Sequence, residues 1–248
     1  MNIVICGFGR AARALVRRIL DTKDFNLEMI ICRKESKNAN RNVSDITGWK
    51  DAEHFYITPI DDAVKLLGKK SIDVVIDFSH HEMVFRSINL CGALGCNLVI
   101  CTTNHKQDEI ERFRRLAEEK NIGIAYCPNL TLGINLLIDF AHRLASMYTD
   151  FSFEIVEKHP ADKIKPTTTA TIIKNAIGNI EVPIHSLRIN GYVGEHQVIG
   201  SNGTERITLI HESLSREAFA NGAIIAAKFI KEKKGFFSMK HILNEYFT

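Results

Sequence analysis

The sequence predicts an α/β protein whose first half builds a parallel sheet and whose second half adds an α+β domain with an antiparallel or mixed sheet. Three observations carry this. Short β-branched runs alternate with helix-periodic segments up to about residue 127, the signature of βα units whose strands are buried on both faces. Around Pro128 the alternation stops, and one helical stretch is followed by several strand-like stretches. The first strand runs directly into a two-glycine turn and a helix, Gly7-Phe8-Gly9-Arg10-Ala11-Ala12.

In order along the chain, residues 3–6 read as the first strand, and 11–20 as a crossover helix with Ala14, Leu15, Ile19 and Leu20 on one stripe. Residues 27–32 form the second strand. Further strands are expected at 74–78, 97–101 and 122–127, with helices at 61–67, 81–94 and 106–119 between them. Residues 41–58, with the only tryptophan, show no clean period. The second domain is expected to open with a helix at 133–148, followed by strands at 151–157, 185–192, 195–201 and 205–212 and a helix beginning near Thr169. A final helix, 216–231, carries the small residues Ala218, Ala220, Gly222, Ala223 and Ala226, which allow close packing on a neighbour. The boundaries drawn are 1–128 with 216–248 for the first domain and 129–215 for the second.

Composition narrows the function. The 248 residues are 45% hydrophobic and 25% charged, ample for a core, and 32 basic against 29 acidic residues leave +3, too little and too scattered for a nucleic-acid stripe or a membrane patch. No apolar run reaches the roughly 18 residues of a transmembrane helix, and no basic leader precedes the first strand, so a cytoplasmic protein is expected. The six cysteines, Cys6, Cys32, Cys91, Cys96, Cys101 and Cys127, form no Cys-x-x-Cys pair. They read as reduced core residues, and no metal site is expected.

The opening turn has the spacing G-x-G-x-x-A, in which backbone N–H groups and a helix N-terminus can meet a pyrophosphate. The second strand ends Cys32-Arg33-Lys34 with no carboxylate at its tip, which favours NADPH, with NADH as the alternative. Just after a later strand, His159 and Lys163 stand four residues apart, followed by Thr167-Thr168-Thr169. They are either a solvated loop with helix-capping threonines, or a proton-handling pair beside a carboxylate-binding helix start. Signatures of short-chain dehydrogenases, P-loop hydrolases, zinc peptidases and esterases are missing from the sequence.

These pieces together resemble the dihydrodipicolinate reductase family over nearly the whole chain. The resemblance rests on Gly7-Phe8-Gly9-Arg10, Asp77-Phe78-Ser79, Thr102-Thr103, residues 128–135, residues 157–163, and the late segments Ile184-His185-Ser186-Leu187-Arg188, Val193-Gly194-Glu195-His196 and residues 219–224. It implies an N-terminal Rossmann dinucleotide-binding domain, completed by the C-terminal helix, and an α+β substrate domain whose mixed sheet assembles a homotetramer. It further implies a cofactor lying along Gly7, Phe8, Gly9 and Arg10, and along Asp77, Phe78, Ser79, Thr102 and Thr103, with Cys127 and Asn129 near the nicotinamide, while Arg33 and Lys34 are cofactor candidates from the strand tip alone. By family position His159 is the acid/base residue and Lys163 the proton donor, while Thr168 and Thr169 hold a carboxylate of a small cyclic imine substrate.

The substrate loop departs from the family pattern. Pro160 replaces a second histidine, one residue is missing before Pro166, Lys165 stands where an acid is usual, and Thr167-Thr168 replace Ser-Gly. The Arg-Gly-Gly and Gly-Thr-Thr-Gly patterns become Arg188-Ile189-Asn190 and Cys101-Thr102-Thr103-Asn104. Each Cβ added near a ligand removes room. Three readings follow: a divergent reductase with the family substrate, the same scaffold turned to another cyclic imine or unsaturated acid, or a non-catalytic dinucleotide-binding protein.

Overall fold

Strands that are apolar throughout need helices on both sides, and the N-terminal part of the chain meets that need in a computed structural model that describes residues 1–68 and 70–246. Lys69, Phe247 and Thr248, which fall within the first predicted domain, lie outside the described residues. The chain divides into two compact units, Met1–Leu130 with Phe219–Thr248, and Thr131–Ala218.

The first unit runs β1 (Asn2–Cys6), α1 (Arg10–Leu20), β2 (Asn26–Cys32), α2 (Val43–Thr47), β3 (Ile57–Pro59), α3 (Ile60–Leu67), β4 (Val74–Asp77), α4 (Val84–Leu94), β5 (Asn97–Ile100), α5 (Gln107–Glu119) and β6 (Gly123–Tyr126). In the second unit come α6 (Leu132–Met147), β7 (Ser152–His159), α7 (Thr168–Ile177), β8 (Ile184–Arg188), β9 (Gly194–Ser201) and β10 (Arg206–Ser213), after which α8 (Glu217–Ile230), β11 (Gly235–Ser238) and α9 (Met239–Tyr246) complete the chain. The seven-stranded sheet has the order β11-β6-β5-β4-β1-β2-β3, all parallel, so the strand order reverses between β1 and β4, as in a Rossmann-type fold. Ile3, Ile5, Ile30, Ile31, Val75 and Ile76 are fully buried in it. Each such side chain contributes about 1.5–3 kcal/mol on leaving water.

Four elements lie where the sequence showed no period. The polar stretch 41–58 contains α2, capped by the Asn42 side chain accepting from the Ser44 N–H and closed by left-handed Gly48, and reaches into β3, a three-residue edge strand. Beyond α8 the chain adds β11, Gly-Phe-Phe-Ser paired parallel with β6, and α9. The small-residue stripe of α8 packs closely: a side chain at Gly222 would overlap the Leu130 carbonyl. Asn97, buried in β5, donates to the carbonyls of Ile230 (2.6 Å) and Lys231 (2.9 Å) and accepts from the Gly123 N–H (2.7 Å), so one side chain ties the C-terminal segment to the sheet.

The second unit holds a mixed sheet, β10-β9-β7-β8, in which β7 and β8 are parallel and the other pairs antiparallel. Phe153, Ile155 and Val198 on one face pack with Ile134, Leu137 and Ala141 of α6 and Ile173 and Ile177 of α7. Strand β8 ends at Arg188, short of the expected 192, because the chain turns at Gly191 with φ +98°. Helix α7 begins at Thr168, with Thr167 as its cap. All six cysteines are buried and unpaired. No helix among the described residues is long and apolar enough to cross a membrane.

Candidate functional site

The carboxyl ends of the parallel strands bring together the dinucleotide residues read from the sequence. Gly7 follows β1, Arg33 and Lys34 follow β2, Phe78 and Ser79 follow β4, Thr102 and Thr103 follow β5, and Cys127 and Asn129 follow β6. Backbone hydrogen bonds knit this rim: Gly7 N–H to Ile31 O (2.7 Å), Phe78 N–H to Cys6 O (2.8 Å), Cys101 N–H to Asp77 O (2.9 Å) and Cys127 N–H to Ile100 O (2.8 Å). Gly7 has φ +92°, and a Cβ there would stand 2.8 Å from Ser79 Cα, so the turn after β4 fills the space a side chain would need. Gly9 differs, since a Cβ would meet nothing within 4 Å. It caps α1, whose first residue, Arg10, is exposed.

Several of these residues join the rim through backbone rather than side chain. Phe8 is buried with the Arg13 guanidinium 5.1 Å over its ring. Asp77 is fully buried, its carboxylate accepting from the Ser79 N–H (2.8 Å), the Ser79 hydroxyl and the Ser87 hydroxyl of α4 (2.6 Å). Burial pushes its pKa above the usual carboxylate value against the pull of those hydrogen bonds. The Asp77 carboxylate therefore shapes the turn that carries Ser79. The Cys127 thiol is buried and pushed up to about 12, so it stays protonated. Arg33 and Lys34 are exposed, as is the neighbouring Glu35.

One residue of this rim escaped the sequence reading. His105 accepts or donates a hydrogen bond with the Thr102 hydroxyl at 2.8 Å and packs edge-on against Phe113 and Tyr126. Burial lowers its pKa, which favours the neutral ring. Its spacing of three residues from Thr102 was the available signal.

In the second unit, alternation along β7 turns Glu157 and His159 to the buried face. Register then does the rest. His196 of β9 is paired with Glu157, and Arg188 of β8 is level with His159. Glu157 Oε1 accepts from Arg188 Nη2 (2.8 Å), while Oε2 lies in ion-pair contact with His159 Nδ1, and neither of those two atoms has a hydrogen-bond partner elsewhere or a well-directed hydrogen bond between them. The His159 ring meets that of His196 at 5.0 Å, edge to face, and its Nε2 lies over the bare Cα of Gly194. The Thr167 hydroxyl contacts His196 Nε2 at 3.2 Å and caps α7 through the Ala170 N–H.

Lys163 is exposed on the loop between β7 and α7, and Arg188 fixes that loop by donating from Nε to the Lys163 carbonyl (2.9 Å) and from Nη2 to the Ile164 carbonyl. Thr168 and Thr169 form the first turn of α7, the positive end of the helix. Thr168 has a helical backbone, so this position asks for no glycine, and Thr167 uses its hydroxyl as the cap. The altered Thr167-Thr168 pair is thus accommodated by helix geometry.

The electrostatics follow from burial and pairing. Burial alone would raise Glu157, but hydrogen bonds from Arg188 and Ser186 and the charges of His159 and Arg188 outweigh it, holding the carboxyl below its ordinary value. Burial lowers His159, against the opposing pull of Glu157. His196, more enclosed, is driven down to about 3 by burial and then by His159. Glu157, His159 and His196 bring their polar atoms within 4.8 Å of one another, yet the carboxylate already neutralises a guanidinium, which suits proton handling better than a further cation. Glu157, Arg188 and His196 stand in the family-like segments of the sequence, but their meeting depends on strand register, which gives them no role by spacing alone.

With this geometry in hand, comparisons with known proteins are informative. Residues 1–130 match the family model for the N-terminus of dihydrodipicolinate reductase, and residues 133–243 match that for its C-terminus. The chain is similar to a 4-hydroxy-tetrahydrodipicolinate reductase of Thermosipho africanus, 38% identical over 177 residues, 71% of this chain and 80% of that protein. It is 31% identical to one of Methanopyrus kandleri over 265 aligned positions, 97% of this chain and 95% of the other. Among solved structures, a dipicolinate-bound dihydrodipicolinate reductase from Paenisporosarcina sp. TG-14 superposes with a TM-score of 0.76 at 21% identity, covering 96% of this chain and 97% of that one, a likeness of fold.

Proposed function

Because the chain belongs to the dihydrodipicolinate reductase family, we propose that it reduces 4-hydroxy-tetrahydrodipicolinate, a cyclic unsaturated imine with two carboxylates, to tetrahydrodipicolinate in lysine and diaminopimelate biosynthesis, using NADPH. It is an oxidoreductase with a small-molecule substrate. The observation that carries the catalytic reading is the buried Glu157–His159–His196 set beside a loop whose Lys163 is pinned by Arg188.

The rim of the parallel sheet fits a nicotinamide dinucleotide, which supplies the hydride when bound. Packing gives no reason for glycine at position 9, and its bare backbone at the start of α1 suits a closely approaching pyrophosphate. Arg33 and Lys34, with no acid between β2 and them, suit the additional phosphate of NADPH. Loss of the 4-hydroxyl as water leaves a conjugated ring with two carboxylates, and adding a hydride to it builds up negative charge and leaves an atom that must be protonated. Lys163 meets both needs, as a cation beside the ring and as proton donor. His159 exchanges a proton through Nε2, and Thr168 and Thr169 hold a carboxylate at the start of α7.

Retention of this set beside the altered loop supports the family substrate over a reassigned one. Two further readings complete the proposal. Leu187 and Ile210 are exposed on the face of the mixed sheet opposite His159, alongside the Lys158–Glu195 pair, and this face supports assembly as a homotetramer. Six buried thiols without a disulfide suit the reducing cytoplasm.

Lys163→Ala tests the reading. Turnover should fall at least a hundredfold while NADPH binds as in the wild type. Loss of NADPH binding, or retained turnover, would remove Lys163 from the proposed role.

A further inference from the structure

The proton-handling pair stands on two different segments, His159 at the end of β7 and Lys163 on the loop after it, and a single buried ion pair touches both. We propose that Glu157, together with Arg188, is the positioning device of the site: Glu157 orients His159 through Nδ1, and Arg188 carries the same constraint to the backbone of Lys163. This deepens the assignment of His159 and Lys163 and rests on it.

Geometry argues for the role in three ways. Glu157 has no exposure and its two oxygens serve different partners, Arg188 on Oε1 and His159 on Oε2. A carboxylate against Nδ1 selects the tautomer with its proton there, which leaves Nε2, over the side-chain-free Gly194, as the nitrogen able to exchange a proton. Arg188 also donates to the carbonyls of Lys163, Ile164 and Leu187, so its guanidinium joins β8, the loop and β7 in one planar fork. An ion pair this buried is costly to desolvate and stabilises little by comparison with an apolar pair of the same size. Its orienting effect is therefore the stronger reason for its presence.

The groups facing His159 are Glu157 on its own strand, Arg188 from β8, His196 from β9 and Lys163 from the loop. Glu157 is the one negative charge among them, and it favours the protonated imidazole. Removing that charge should move the limb of the rate profile governed by His159 toward lower pH.

The experiment compares full-length wild type, Glu157→Gln and His159→Gln in NADPH oxidation as a function of pH, with NADPH affinity measured alongside. The proposal expects Glu157→Gln to lower kcat at least tenfold, to displace the His159 limb to lower pH, and to leave the NADPH Kd unchanged, while His159→Gln abolishes that limb. If Glu157→Gln fails to fold with Arg188 unpaired, the double variant Glu157→Gln/Arg188→Met removes both charges and should fold with kcat lowered at least tenfold and with a smaller displacement of the limb, since Arg188 opposes Glu157 at His159. A limb lost in His159→Gln but unmoved in the Glu157 variants, with kcat within twofold of wild type, overturns the positioning role and leaves the assignment of His159 standing. A His159→Gln profile identical to wild type overturns that assignment itself.

Discussion

Substituting Gly9 by alanine separates what the ligand asks of the opening turn from what the fold asks. Gly9 has φ −80° and ψ −172°, an extended backbone open to any residue, and its added Cβ would meet nothing within 4 Å. Gly9 is the N-cap of α1, where alanine is less favourable than glycine, so stability should fall by no more than about 1 kcal/mol. The methyl would instead occupy space proposed for the pyrophosphate, and an overlap of about 1–3 kcal/mol corresponds to roughly 5- to 150-fold weaker binding. Gly7→Ala should do the reverse damage. Its φ of +92° strains an alanine, and the Cβ would stand 2.8 Å from Ser79 Cα and 2.9 Å from the Phe78 carbonyl, main-chain atoms with little freedom to retreat. Strain of about 1–3 kcal/mol and overpacking of about 1–3 kcal/mol together predict a loss of roughly 2–6 kcal/mol, enough to lower Tm by about 4–24 °C. Thermal unfolding and NADPH fluorescence titration of both variants provide the assay. Unchanged NADPH affinity in Gly9→Ala would refute the cradle, and wild-type unfolding in Gly7→Ala would refute the packing argument.

Three other outcomes are expected. Asn97→Ala strips two buried hydrogen bonds and one half-buried one between β5, β6 and the residues at the end of α8 and should cost roughly 2–4 kcal/mol in urea unfolding; a loss below about 0.5 kcal/mol would contradict the latch. His196, faced by His159, Glu157, His211, Lys163 and Thr167, takes its proton at about 3 in the fold against 6.5 ordinarily. Its depressed value means that its contribution is complete above pH of about 6.5 and is lost as pH falls toward about 3, roughly 3–5 kcal/mol over the whole window. His196→Gln should accordingly flatten the decline of the urea midpoint between pH 7 and 4, and an unaltered decline would count against it. Arg33→Ala should weaken NADPH about tenfold while leaving NADH nearly untouched, and equal weakening of both would remove the phosphate contact.

Much of this was legible in the residues because it is local. Strand β1, the Gly7–Gly9 turn and α1 are consecutive, and their hydrophobic periods change where the structure changes. The short strands β3 and β11 were not legible, since β3 is two β-branched residues before a proline and β11 is Gly-Phe-Phe-Ser, so neither carries the apolar run that marks the equally short β4 and β5, and their strand character comes from the partner they lie beside. The same limit separates His159 from its supports. Glu157 is two residues away, but Arg188 and His196 reach it only through the registers of β8 and β9 on β7, which no spacing in the chain encodes. Asp77 illustrates the converse: its position at the rim was readable, whereas the inward use of its carboxylate depends on Ser87 of α4. That the threonine run caps a helix was one of two readings open in the sequence, which did not single out Thr167, because three consecutive threonines carry the same signal.

The most direct test of the central claim is NADPH oxidation by the wild-type protein supplied with freshly condensed pyruvate and aspartate semialdehyde, followed by absorbance and by identification of the product. Stoichiometric consumption of NADPH with formation of tetrahydrodipicolinate is the expected result. Tight NADPH binding without turnover on this substrate would contradict it and turn attention to smaller cyclic imines.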